Sequence, residues 1–110
     1  MKKNLLSFRE TKAFTRDVSS LLSEESYFEL QHFLHAHFEL GDVISGGGGL
    51  RKIRWRIAGK GKSGGVRIIY FYASEKGYIY LLAIYGKNQQ TDLDKDQLKK
   101  LSNQVKEWLQ

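Results

Sequence analysis

The segment Arg51 to Ile57 alternates residue by residue. Ile53, Trp55 and Ile57 fall on one side of the repeat, and Lys52, Arg54 and Arg56 on the other. A period of two is the side-chain period of a β-strand. The segment is therefore expected to be a strand with one dry face and one strongly basic wet face. It lies inside a wider concentration of charge. Between Val43 and Ser74 there are seven basic residues (Arg51, Lys52, Arg54, Arg56, Lys60, Lys62 and Arg67) and no acidic one. The whole chain carries +6, so without this +7 segment the rest is −1. Positive charge gathered in one place and interleaved with aromatics points to a polyanionic partner, nucleic acid first.

The 110 residues suit one domain. With no cysteine, disulfides and thiolate zinc sites are excluded. No apolar run approaches the roughly 20 residues that span a bilayer. The first residues run Met1-Lys2-Lys3, then Leu5, Leu6 and Phe8, then Arg9 and Glu10. That stretch is charged too soon for a signal peptide, so the expected location is cytoplasmic, with no membrane partner.

Asn4 to Arg9 is weakly apolar and is a candidate first strand. Phe14, Val18, Leu21 and Leu22 mark an amphipathic helix over Thr11 to Leu22. Ser23 then fits an N-cap, with Glu24 and Glu25 in the first turn of a second helix. Its stripe is Tyr27, Leu30, Leu34 and Phe38, widened by Phe33. The two form a helical hairpin. Gly41 to Gly49 reads as loop, since Gly46 to Gly49 suit neither helix nor strand. Val66–Ala73 and Tyr78–Tyr85 are apolar on both faces and are expected to be central strands. Ala58 to Gly65 is a basic glycine-rich loop. A last helix begins near Asp94, where Asp94 with Gln97 fits a capping box and Leu93 with Leu98 a hydrophobic staple. Its stripe is Leu98, Leu101, Val105, Trp108 and Leu109. The order (β)ααβββα predicts an α+β domain: a small antiparallel sheet packed against an N-terminal helical hairpin and a C-terminal helix. The helices are expected on one face, leaving the basic face open.

Glu75-Lys76-Gly77 suits a three-residue hairpin loop with Gly77 left-handed. That loop sets Ser74 opposite Tyr78, Arg67 opposite Tyr85 and Gly65 opposite Lys87. Opposed residues share a face, so Arg67, Tyr85 and Lys87 should cluster beside the loop carrying Lys60 and Lys62. Arginine gives bidentate hydrogen bonds to phosphate oxygens, and lysines give charge or proton transfer. Tyrosine stacks on bases or hydrogen-bonds phosphate. The cluster suits stabilisation of a phosphorane.

GGLRKIR (Gly48–Arg54), GKGK (Gly59–Lys62), GGVRIIYFY (Gly64–Tyr72), YLLAIYGKN (Tyr80–Asn88) and the closing helix resemble RelE-family toxins, nearest the HigB-type branch of toxin–antitoxin modules. The resemblance covers roughly residues 20–110. It implies a RelE-like fold and a ribosome-dependent mRNA endonuclease that enters the 30S A site. There the RNA's own 2′-hydroxyl attacks the adjacent phosphate, with no metal and no cofactor. The implied regulator is a cognate HigA-type antitoxin. By position, Arg67 would stabilise the phosphorane, Lys87 would assist charge or leaving group, and Lys60 and Lys62 would act as base or phosphate clamp. Arg51, Lys52, Arg54 and Arg56 would grip RNA. Some relatives stack a tyrosine from the last turn or helix on the base; here Tyr85 or Tyr72 stand in for it. Histidines used by some HigB relatives are missing from this region, which leaves the general base unassigned. Two rival expectations are a ParE-like toxin that binds DNA gyrase without cutting RNA, and a plain RNA-binding domain.

Other signals weigh less. His32, His35 and His37 lie close together on the second helix without a completing carboxylate, and are expected to be ordinary helix histidines. Gly59-x-Gly61-x-x-Gly64 matches a dinucleotide motif in letters, but a strand pattern follows where a helix is required. Trp55 and Trp108 sit on apolar stripes and read as core.

Overall fold

The computed structural model describes residues 7–57, 65–86 and 93–109. Lys60, Lys62 and Lys87 lie outside these described residues. The elements run β1 (Ser7–Glu10), α1 (Lys12–Leu21), α2 (Glu24–Ala36), β2 (Asp42–Val43), β3 (Arg51–Trp55), β4 (Val66–Ala73), β5 (Tyr78–Gly86) and α3 (Lys95–Leu109). The sheet order is β1-β5-β4-β3-β2. Strands β2 to β5 pair antiparallel, and β1 adds to the free side of β5 in parallel. The fold is α+β. No described helix is long and apolar enough to cross a membrane.

Local chemistry sets the helix ends. The Ser23 hydroxyl accepts from the Ser26 amide at 3.0 Å and caps α2. Asp94 and Gln97 form the reciprocal capping box: Gln97 N donates to Asp94 Oδ1 at 2.8 Å, and Asp94 N to Gln97 Oε1 at 3.0 Å. Thr11 caps α1 and does more. Its hydroxyl accepts from Phe14 N at 2.9 Å and donates to Leu82 O at 2.8 Å, at a site only 4% exposed. Thr11→Val keeps the shape and removes both bonds. It is expected to lower stability by about 1–3 kcal/mol, read from urea denaturation. An unchanged midpoint would mean that the cap is dispensable.

The open-face expectation is corrected. Two hydrophobic clusters lie on opposite faces of the sheet. Phe14, Val18, Leu22, Leu30 and Leu34 of the hairpin pack on Val66, Ile68, Tyr70, Ile79 and Leu81. Leu98, Leu101, Val105 and Trp108 of α3 pack on Ile69, Phe71, Ala73, Tyr80 and Leu82. Strands that are apolar on both faces need cover on both, and the letters of β4 and β5 already carried that demand. Ile53, Trp55 and Ile57 do join the hairpin-side cluster. The Gly46–Gly49 loop tucks against α3, where Ser102 Oγ donates to Gly47 O at 2.8 Å. Gly49 has φ +102°, and a Cβ there would lie 2.8 Å from the Phe71 ring.

The β4–β5 hairpin is also corrected in part. Ala73, not Ser74, pairs with Tyr78, so the loop has one residue more than expected; Gly77 is left-handed at φ +71°. A bulge then intervenes, because Ile69 pairs with Ala83 while Tyr70 pairs with Leu81. The extra residue on β5 cancels the extra loop residue. Arg67 ends opposite Tyr85 as expected, through two compensating shifts.

Candidate nucleic-acid interface

Register builds a row across three strands. Arg54 of β3 pairs with Arg67 of β4, which pairs with Tyr85 of β5. All three side chains therefore lie on the α3 side of the sheet. Lys52 is one row along on the same side, opposite Ile69. Two arginines directly opposed repel, so the pair opposes folding unless something anionic joins it. Arg54 and Arg56 are exposed and Lys52 is half-buried.

Arg67 is the unusual member. It is the second of the five buried residues that open β4, only 8% exposed. Its Nε is buried without a hydrogen-bond partner, and among the described residues no carboxylate pairs with it. A cation removed from water without a counter-ion destabilises the fold. Tyr85, 6% exposed, flanks it and belongs to the α3-side cluster.

Two expected site residues lie elsewhere. Arg51 shares the hairpin side with Ile53. Its Nη1 donates to the carbonyls of Glu39 (3.0 Å) and Gly41 (2.8 Å). Its ladder partner Tyr70 donates to Phe38 O at 2.8 Å and accepts from Gly41 N at 2.9 Å. Burial raises the Tyr70 phenol above its ordinary range, so it stays neutral and keeps that donor. Together the two side chains hold the α2–β2 connection. The period of two in β3 puts Arg51 on the dry side with Ile53. Tyr72 is also on the hairpin side, stacked on Phe38 with ring centroids 4.0 Å apart. Neither residue reaches the Arg67 face.

Trp55 packs on Phe33 at 5.6 Å and donates to Ser26 Oγ at 3.2 Å. Trp108 packs on Tyr80 at 4.6 Å. His32 meets the Phe28 ring edge-on at 4.4 Å, and His37 meets Phe33 at 4.9 Å. Among the described residues no group of three or more His, Asp or Glu could hold a metal ion.

Sequence reasoning missed a groove of about 450 Å³ beside the arginine row. Ile69 and Tyr85 lie at its base, Asp42, Ser45 and Lys52 on the β2–β3 side, and Asp94 and Lys95 on the side of α3. Its walls come from segments more than 40 residues apart, so no local spacing announces it.

Comparison with known proteins gives two findings. The family model for the RelE toxin of the RelE/RelB toxin–antitoxin system matches residues 31–110. The solved structure of E. coli toxin RelE, a double mutant in the free state, is similar with a TM-score of 0.62 at 12% identity. That likeness covers 92% of this chain and 97% of that one. At such low identity it speaks for the fold.

Proposed function

Given that this chain belongs to the RelE family of toxins from toxin–antitoxin systems, we propose that it is a ribosome-dependent mRNA endonuclease of the HigB-type branch. In this reading it works in the cytoplasm, in the 30S A site, and a cognate HigA-type antitoxin restrains it. The observation that carries the proposal is Arg67: a buried guanidinium without a counter-ion among the described residues, beside Arg54 and Tyr85.

The chemistry follows from those groups. The 2′-hydroxyl of the RNA attacks the adjacent phosphorus, and the 5′-oxygen of the next nucleotide leaves. The products are a 2′,3′-cyclic phosphate and a 5′-hydroxyl end. Negative charge grows on the phosphorane oxygens at the transition state. A guanidinium already out of water interacts with that charge without reorganising. Arg54, Arg56 and Lys52 hold neighbouring phosphates. Lys60, Lys62 and Lys87 are assigned the proton transfers and the phosphate clamp on resemblance alone.

The test is primer extension on a defined mRNA in a purified translation system, with and without ribosomes. Cuts within codons that require ribosomes are expected. Growth arrest without any cleavage would instead favour a binding toxin of the gyrase-inhibiting kind. Affinity for RNA should also depend on salt. With four phosphate contacts, raising salt fourfold should weaken single-strand binding roughly 50-fold. Filter binding across a salt series measures this, and a flat response would remove the basic face from the account.

A further inference from the structure

The groove beside the arginine row differs from the row in its charge. The row holds Arg54 and Arg67 with no carboxylate paired to either among the described residues. The groove sets Asp42 and Asp94 against Lys52 and Lys95, so its formal charge is balanced. A phosphate is drawn to the row and gains nothing by moving into the groove. A nucleobase has the opposite preference, because it carries no charge but presents both donors and acceptors.

Distance allows the two to be occupied by one strand. Lys52 and Ile69 at the groove are one side-chain row from Arg54 and Arg67, two strand residues or roughly 7 Å. That is about the reach from a nucleotide's phosphate to its own base or to the next one. Tyr85 belongs to both places: it pairs with Arg67 and lines the groove.

From this juxtaposition we infer that the groove reads the base next to the phosphate held by Arg67, with the Asp42 carboxylate as the selecting acceptor. The inference rests on the proposed RNA-cleaving function. A carboxylate accepts hydrogen bonds and offers none. It therefore favours a base with amino hydrogens. Guanine offers two adjacent N–H donors on its Watson–Crick edge, a match to two carboxylate oxygens, and its O6 is an acceptor for a lysine such as Lys52 or Lys95. Uracil has a single N–H between two carbonyl oxygens, which a carboxylate repels. The preferred order runs from guanine at the top to uracil at the bottom. Asp94 is the less informative residue to change, because its Oδ1 also caps α3. Asp42 is exposed, on a two-residue strand, and its side chain can change without disturbing the core.

The experiment uses the whole protein and ribosomes programmed with four mRNAs that differ only at the nucleotide next to the scissile position. A 2′-deoxy substitution at the attacking sugar blocks cleavage. Wild type is expected to bind the guanine RNA about tenfold more tightly than the uracil RNA. Asp42→Ala should bring the four within about twofold, and Asp42→Asn should move the preference towards adenine, which suits an amide's paired acceptor and donor. Arg67→Ala should weaken all four equally and keep the order. A base order that survives in Asp42→Ala, or no base order in wild type, overturns the groove assignment alone. Loss of binding to every RNA by wild type, or indifference to Arg67→Ala, overturns the parent function with it.

Discussion

Arg67→Ala is expected to lower ribosome-dependent cleavage by about 100- to 1000-fold, the range seen when one preorganised donor to a developing oxyanion is removed. The same change is expected to leave the fold as stable as before, or more so. A structural charge behaves otherwise. A buried ion that pairs with a neighbour destabilises strongly when that partner is lost, because the neighbour is left uncompensated. Arg67 has no such neighbour among the described residues, and its Nε is already unsatisfied. Arg67→Met keeps much of the aliphatic stem's packing against the α3-side cluster and removes the unpaired charge, so its denaturation midpoint should rise while cleavage is lost. Arg67→Lys keeps the charge and loses the planar fork, and should retain partial activity. Primer extension and urea denaturation on the three variants check this together. Destabilisation of Arg67→Met by several kcal/mol, with cleavage retained, would make Arg67 a structural residue and remove it from the chemistry.

Phe14→Ala is expected to cost about 3–5 kcal/mol, a large share of the roughly 5–15 kcal/mol that holds a domain together. Phe14 is fully buried and meets the Tyr27 ring at 5.9 Å. Tyr27 is pinned in turn by a hydrogen bond that its hydroxyl donates to the Glu10 carboxylate. Burial raises the Tyr27 phenol well above its ordinary range, so it keeps its proton for that bond. Truncating Phe14 leaves a cavity that neither Tyr27 nor the strands beneath can fill by moving. The family match begins at residue 31, yet Phe14, Val18, Leu22 and Leu30 supply the hairpin's buried contacts. A fragment of residues 31–110 should therefore fail to fold cooperatively. Circular dichroism with urea titration measures both effects. A loss below about 1 kcal/mol for Phe14→Ala, or a cooperative transition in the fragment, would show that the hairpin is an appendage and not part of the core.

Local rules have local signatures, and those were legible in the letters. Ser23 and the Asp94–Gln97 box act over three residues, and both helix starts were readable from spacing alone. The dry side of β3 was readable from its period of two, with Ile53 and Trp55 packed as that pattern requires. The grouping of Arg67 with Tyr85 on one face was within reach, since parity and one hairpin loop set it. The cancellation between a longer loop and the bulge at Leu82 was not, because a bulge leaves no consistent mark in sequence. Nor was the true place of Arg51 or Tyr72 given by resemblance: their partners, the carbonyls of Glu39 and Gly41 and the ring of Phe38, come from a connection that folds back onto β3 and β4.

By itself the sequence determined the helices, the longer strands, the caps, the alternation of β3 and the single concentration of positive charge, because each depends on residues a few positions apart; it did not give β2, whose Asp42–Val43 lies in the stretch expected to be loop and forms by pairing with β3. Tertiary structure decided which side of the sheet α3 covers, that β1 joins β5 in parallel, and that Asp42 and Asp94 meet across a groove. Those outcomes depend on which apolar surfaces bury each other over long loops, and that competition is settled by the packing of the whole chain.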